Sequence, residues 1–145
     1  VQPGESVMVD LVHNLNKHGL TSSSHCKHYV LITDVKTRFT VPIGTNRKKP
    51  ADIARCLATW ATDYGPDTTF NLYHLKKLRG DADESCFSKK FVAALLEHRI
   101  NGTFAAPRHQ EQNGICERTW QSIRDIAFKT MVFAHVGDEF YDFAI

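Results

Sequence analysis

The stretch Ser6–His13, SVMVDLVH, decides the fold class of this chain. It is apolar and rich in β-branched residues, with Asp10 set in its middle, and this pattern predicts a buried strand. Further along, KHYVLITDVKTRFTVPI (27–43) predicts two more strands, Lys27–Thr33 and Thr37–Ile43, with a turn at Asp34–Lys36 between them. Pro42 lacks the N–H that a ladder needs, so we expect the third strand at an edge of the sheet.

Helical and extended patterns alternate after these three strands. The predicted elements are a helix that begins at Pro50 and ends at Gly65, a strand over Phe70–Leu78, a helix capped by Ser85 or Ser88, a strand over Asn101–Ala106, a polar loop over Pro107–Asn113 and a long helix over Gly114–Phe133. The apolar stripes of the helices are Ile53, Leu57, Trp60 and Tyr64; Phe87, Phe91, Leu95 and Leu96; and Cys116, Trp120, Ile123 and Ala127. The order βββ-α-β-α-β-α predicts an α/β fold with a five-stranded mixed sheet flanked by helices on both faces.

The composition is that of one globular domain. The chain has 145 residues, 42% hydrophobic and 23% charged, with a net charge of +2, which permits a nucleic-acid partner without arguing for one. It has no apolar run long enough for a transmembrane helix. Its four cysteines form no CxxC pair, so we expect free thiols in a reducing compartment. Because the chain begins with valine, we expect a fragment of a longer polyprotein, with 1–145 as one domain.

Three carboxylates lie at positions that indicate a functional role, although each position also has a structural explanation. Asp10 interrupts an apolar strand, where an ionised group is costly unless it is paired or bound to metal; the alternative is a strand-edge Asp that reaches water or a backbone N–H. Asp81 directly follows the fourth strand, and its alternative is a turn or capping role. Glu117 lies in the first turn of the long helix, where it could simply complement the helix dipole.

The spacing of these acids leads to a family resemblance. Between Asp81 and Glu117 lie 35 residues, and Asn113-Gly114 precedes the glutamate. In these features the sequence resembles the catalytic core of retroviral and retrotransposon integrases, the DDE branch of the ribonuclease-H-like superfamily, and is most similar to copia-type elements. The segments that carry the resemblance are PGESVMVDL (3–11), KHYVLITDVKTRFTVPI (27–43), LRGDADESCFSKKF (78–91), INGTFAAPRHQEQNGICERTWQSIRDIAF (100–128) and EFYDFAI (139–145).

The resemblance implies a ribonuclease-H-like fold and a specific chemistry. Asp10, Asp81 and Glu117 would be both the catalytic residues and the ligands of two Mg²⁺ or Mn²⁺ ions, in phosphodiester transfer that joins element DNA 3′ ends to target DNA. It also implies a homo-oligomer that acts in the nucleus or in a virus-like particle, without membrane or small-molecule cofactor. Candidate DNA-binding residues around the acids are Asn113, Gln112, Arg118, Gln121, Arg124 and Lys89.

Other assignments of the same residues stay open from the sequence. Each of these basic and amide residues could instead belong to an ordinary solvated helix face. Asp34 could be mistaken for the first acid, but we expect it to form the hairpin turn. The function could be that of a related transposase or nuclease that only hydrolyses DNA, or that of a non-catalytic DNA-binding or assembly module from a decayed element.

Overall fold

Five strands and three helices make up the part of the chain that the computed structural model describes, residues 4–13, 26–64, 73–80, 89–104 and 110–137. Side chains are described for 4–12, 26–64, 78, 89–100 and 117–137. The elements are β1 (Ser6–His13), β2 (His28–Asp34), β3 (Thr40–Thr45), α1 (Pro50–Tyr64), β4 (Tyr73–Gly80), α2 (Lys89–Glu97), β5 (Ile100–Phe104) and α3 (Gln110–Ala134). None of these helices is long and apolar enough to cross a membrane.

The strands lie side by side in the order β3-β2-β1-β4-β5. β1 pairs with β2 antiparallel along its whole length from Val7 to His13, and β2 pairs with β3 antiparallel from His28 to Thr33. On its other edge β1 runs parallel to β4. As predicted from Pro42, β3 lies at an edge of the sheet.

The predicted fold class, a ribonuclease-H-like five-stranded mixed sheet flanked by helices, needs a correction. Only the β3-β2-β1 part is a regular sheet, and it is three-stranded and antiparallel. The parallel part is short and irregular: β1 and β4 pair over Ser6–Val9 alone, and the β4–β5 ladder shifts register between Leu75 and Leu78. The prediction of a five-stranded mixed sheet was therefore wrong, since only the three antiparallel strands form a regular sheet. A physical reason lies in β4, where three cationic residues replace the continuous apolar run that parallel strands usually carry.

The main core lies between α1, α2 and one face of the sheet. Val9 of β1 and its partner Ile32 of β2 belong to one buried cluster with Leu57 and Trp60 of α1 and Phe91 of α2. Two stripe predictions were wrong, because Tyr64 and Leu96 are exposed. Cys56 is buried in this core, where burial raises the pKa of its thiol to about 11.

The helix α3 lies on the opposite face of the sheet. Side chains alternate between faces along β2, so Tyr29 points away from the face on which Val30 joins the main core. The Tyr29 ring contacts the Trp120 ring of α3 with centroids 5.6 Å apart. The prediction of helices on both faces is confirmed.

Several predicted boundaries moved. β3 begins at Thr40 instead of Thr37, since the hairpin turn uses the intervening residues and Arg38 has a φ of 64°. α3 begins at Gln110 instead of Gly114, so the predicted loop over Pro107–Asn113 was wrong for its last four residues. The predicted caps Ser85 and Ser88, the helix end at Gly65 and the segment after Gly137 lie outside the described residues.

Asp34 holds the β2–β3 turn together, which confirms its predicted role. Its side chain is only 4% exposed. One carboxylate oxygen accepts the N–H of Gly4 at 3.0 Å, and the other accepts the N–H and the hydroxyl of Thr37. Burial acts to raise the pKa of Asp34, but these hydrogen bonds outweigh burial and lower it below the ordinary 3.8.

We expect Asp34→Asn to destabilise the protein by about 1–2 kcal/mol at pH 7, because asparagine has one acceptor oxygen where the carboxylate uses two, and that oxygen is neutral. A carboxyl whose pKa is lowered on folding stabilises the folded state above the unfolded pKa, and this contribution is lost as the pH falls through the folded pKa. The difference between the two proteins should therefore shrink below about pH 4. Urea unfolding between pH 3 and pH 8 measures it, with the exposed Asp63→Asn as control. A difference that is constant with pH would contradict this account.

Gly44 is required for steric reasons on the α3 side of the sheet. A Cβ at this position would lie 2.6 Å from Sγ and 3.3 Å from Cβ of Cys26, at the entry to β2. Both distances are shorter than ordinary van der Waals contact, so the Cys26 side chain fills the space that a side chain at residue 44 would need.

Gly44→Ala should cost about 1–3 kcal/mol of unfolding free energy, as overpacking of a tight site does. The double variant Cys26→Ala/Gly44→Ala should recover most of that loss, giving a coupling energy in a double-mutant cycle measured by urea unfolding. If the two losses simply add, this contact is not the cause.

Candidate functional site

Asp10 lies near the carboxyl end of the central strand. It pairs with Leu31 of β2, its side chain is half-buried, and one carboxylate oxygen accepts the N–H of Leu11 at 2.8 Å. This bond satisfies part of the carboxylate, as the strand-edge alternative proposed. Because the side chain is half-exposed, its carboxylate is accessible from solvent and can bind another group in addition to the Leu11 N–H.

β4 ends beside Asp10. The parallel register places Gly80, the last residue of β4, opposite Val9. The next residue on β1 is Asp10, and the next residue in the sequence after Gly80 is Asp81. Asp81 lies outside the described residues, so the structure places the end of its strand and not the acid itself.

The helix α3 carries Glu117 on the same side of the sheet as Asp10. Cross-strand partners share a face, so Asp10 lies on the face of Leu31, and Tyr29 is two residues from Leu31 on that face. Trp120 packs on Tyr29, and Glu117 precedes Trp120 by about one helical turn. The ring pair thus fixes which stretch of α3 covers the Asp10 face.

Glu117 does not lie in the first turn of its helix, and that expectation was wrong. Because α3 begins at Gln110, Glu117 is more than one full turn inside the helix. The helix dipole acts on charges within the first turn only, so it does not account for an acid at this position. The side chain is exposed. Of the two explanations weighed from the sequence, the dipole role is therefore the weaker.

The candidate DNA-binding residues fall into two groups. Arg118, Gln121 and Arg124 are exposed on α3 near Glu117, and Lys89 is exposed at the first residue of α2. The backbone of Gln112 and Asn113 belongs to the first turn of α3, and their side chains are not among those that the structure describes. The exposure of these residues fits contact with phosphates, and it fits an ordinary solvated helix face equally well.

The predicted metal ligands are carboxylates, whose oxygen atoms are the ligands that Mg²⁺ and Mn²⁺ prefer. Within the described residues no group of three or more His, Cys, Asp or Glu side chains is arranged to hold a metal ion. Asp10 and Glu117 are described, and Asp81 is not. The absence of a metal-binding group among the described residues therefore does not extend to a group that includes Asp81.

Sequence analysis missed Tyr29. Its ring is almost fully buried and forms the contact that docks α3 on the sheet. The signal was present, because alternation along β2 sets Tyr29 and Leu31 on one face and Val30 and Ile32 on the other. If the Tyr29 face is assigned to the long helix, the sequence predicts that Tyr29 packs against the stripe residue Trp120.

Comparison with known proteins gives a structural likeness and no sequence relative. Over 98% of its length, this chain superimposes on a chain in the cryoEM structure of the simian T-cell lymphotropic virus intasome in complex with PP2A regulatory subunit B56 gamma, with a TM-score of 0.67 and 15% sequence identity. The two share a fold. The match spans 47% of the viral complex's chain, so this chain corresponds to about half of it. No protein-family model and no curated protein matches the sequence.

We expect Trp120→Ala to cost about 2 kcal/mol of unfolding free energy, less than the roughly 3–5 kcal/mol of a fully buried aromatic residue, because Trp120 is only half-buried. The control is Phe133→Ala on the same helix, whose side chain is 89% exposed and should matter little. Thermal unfolding by circular dichroism measures both changes. Equal effects of the two variants would show that α3 is not held by the ring pair.

Proposed function

We propose that this chain is the catalytic core of a retroelement integrase, with Asp10, Asp81 and Glu117 as its catalytic residues. Such a core joins the 3′ ends of element DNA to target DNA by phosphodiester transfer, within a homo-oligomer. The observation that carries the proposal is that β4, which precedes Asp81, ends beside Asp10, and that α3, which bears Glu117 one turn from Trp120, packs on the face of the sheet to which Asp10 belongs.

The fold supports this proposal independently of the acids. Its similarity to a chain of a viral intasome extends over nearly the whole of this chain. The element order sets the end of β4 beside Asp10 and places α3, the helix that bears Glu117, over the same face of the sheet. Fold likeness alone does not assign an activity, so the site residues have to be tested directly.

Divalent metal ions suit the donor set that the proposal names. Asp10, Asp81 and Glu117 would hold them through carboxylate oxygens, and bound Mg²⁺ or Mn²⁺ would supply Lewis-acid stabilisation of charge on the phosphate oxygens. The chain's own residues have the tasks of positioning. Pairing with β2 fixes the backbone of Asp10, and pairing with β4 fixes the residues just before it. The Tyr29–Trp120 contact fixes the position of α3 on the sheet. Arg124 and Gln121 would hold phosphates near Glu117.

The proposal is tested by strand joining on a branched, disintegration-type DNA substrate with Mn²⁺ and then Mg²⁺. Asp10→Asn, Asp81→Asn and Glu117→Gln keep side-chain shape and remove charge. Loss of a partner to a metal ligand costs roughly 10–100-fold, so loss of a ligand itself should reduce joining by more than about 100-fold. The matched controls are Asp63→Asn on α1 and Glu97→Gln on α2, which are exposed and should retain activity.

Other results would redirect the assignment. Metal-dependent cleavage without joining favours a nuclease or transposase that only hydrolyses. DNA binding without any strand chemistry, and with no stabilisation by Mn²⁺, favours a non-catalytic module of a decayed element. Activity that survives Glu117→Gln would exclude Glu117 as a ligand, whichever reaction is found.

A further inference from the structure

A group of exposed cations lies at one end of the sheet, apart from the candidate residues on α2 and α3. Arg47, Lys48 and Lys49 connect β3 to α1, and Lys27 immediately precedes β2. All four are exposed. We call residues 46–49 the basic turn. The proposed chemistry does not use it.

The backbone of the basic turn is fixed at both ends. At its start, the buried Thr45 donates its hydroxyl to the carbonyl of Arg47 at 3.1 Å and accepts the Arg47 N–H at 3.5 Å. At its end, the carbonyl of Lys49 accepts two N–H groups from the first turn of α1, those of Asp52 at 3.0 Å and Ile53 at 3.2 Å. The backbone that carries Arg47, Lys48 and Lys49 is therefore held in place before any ligand binds.

Few acids offset this charge. Between Cys26 and Lys49 the sequence contains one acid, Asp34, which lies in the turn at the opposite end of the sheet. Asp52, in the first turn of α1, has its carboxylate 3.8 Å from the guanidinium of Arg55. The end of the β2–β3 hairpin that carries Lys27 and the basic turn is thus electropositive among the described residues of that hairpin, while the acid Asp10 lies on the neighbouring strand β1.

The basic turn lies at the same end of the sheet as Asp10. The register aligns Thr45 with His28 and His28 with His13, which is three residues beyond Asp10 on β1. At about 3.3 Å per residue and about 4.8 Å between strands, the basic turn is roughly 15–20 Å from Asp10. Along duplex DNA this distance corresponds to about five base pairs, at about 3.4 Å each.

We propose that the basic turn and Lys27 form a second anchor for duplex DNA, holding phosphates about five base pairs from the phosphate at the acids. This inference rests on the proposed function for the position of the reacting phosphate. The contacts go to the sugar-phosphate backbone, because Lys and Arg on a turn of four residues offer charge without an element that enters a groove. The anchor therefore sets how DNA lies on the domain and reads no sequence.

The test compares two double variants that remove the same charge. Arg47→Gln/Lys49→Gln alters the basic turn. Lys36→Gln/Arg38→Gln also removes one lysine and one arginine, but from the exposed turn at the opposite end of the sheet. Binding of a 30-base-pair duplex is measured by fluorescence anisotropy between 50 and 200 mM salt without divalent metal, so that no strand chemistry is needed. Thermal unfolding checks that both variants are folded.

The basic-turn variant should bind about 10-fold more weakly at 0.1 M salt, and the slope of log affinity against log salt should fall by about 1.8 for two lost phosphate contacts. The control variant should keep most of the affinity and the slope. Equal losses in both variants would overturn the proposal, since they would reflect net charge alone. Absence of duplex binding by the unaltered chain would overturn it as well.

The result separates this anchor from the proposed activity. A selective binding loss in a chain that joins no strands supports the anchor and removes the integrase assignment. Strand joining by the unaltered chain, together with unchanged binding by the basic-turn variant, supports the assignment and removes the anchor.

Discussion

β1 is hydrogen-bonded along both edges, antiparallel to β2 over its full length and parallel to β4 over its first half. This pairing fixes the backbone of Asp10 and at the same time determines where β4 ends relative to it. A slip of one residue would move Asp10 to the face occupied by α1, among Val9 and Ile32, where an ionised carboxylate is costly. The apolar residues that alternate with Asp10 therefore protect the register on which the site depends.

The second constraint is the docking of α3. Among the side chains of α3 that the structure describes, Ala127 and Met131 form a small buried cluster with Phe128 against them, and the contact of the helix with the sheet includes the Tyr29–Trp120 ring pair. An aromatic pair is directional, so it sets the position of the helix as well as holding it. Glu117 is one helical turn from Trp120, so the ring pair also sets the position of the Glu117 backbone. A change that weakens the Tyr29–Trp120 contact should therefore also displace Glu117.

Charge is divided between the two ends of the sheet. At the end with the hairpin turn, Asp34 is enclosed by hydrogen bonds from Gly4 and Thr37, and its charge serves stability. At the other end, Asp10 is half-exposed, and cations fixed on the basic turn lie on the order of 15–20 Å from it. Two aspartates on neighbouring strands thus lie in different surroundings, because one is enclosed by hydrogen-bond donors and the other borders solvent.

The sequence by itself determined the element order, the buried strand with Asp10, the edge position of β3, and the turn role of Asp34, because hydrophobic period and turn chemistry are local properties. It failed at the start of α3, where polar residues 110–113 suit a loop as well as a helix. It also failed on the regularity of the parallel strands, since pairing depends on partners distant in sequence. Only the tertiary structure decided that Glu117 lies beyond the reach of the helix dipole, that Tyr29 docks α3, and that the basic turn shares an end of the sheet with Asp10. These relations join residues far apart in the chain, and no local pattern encodes their distance.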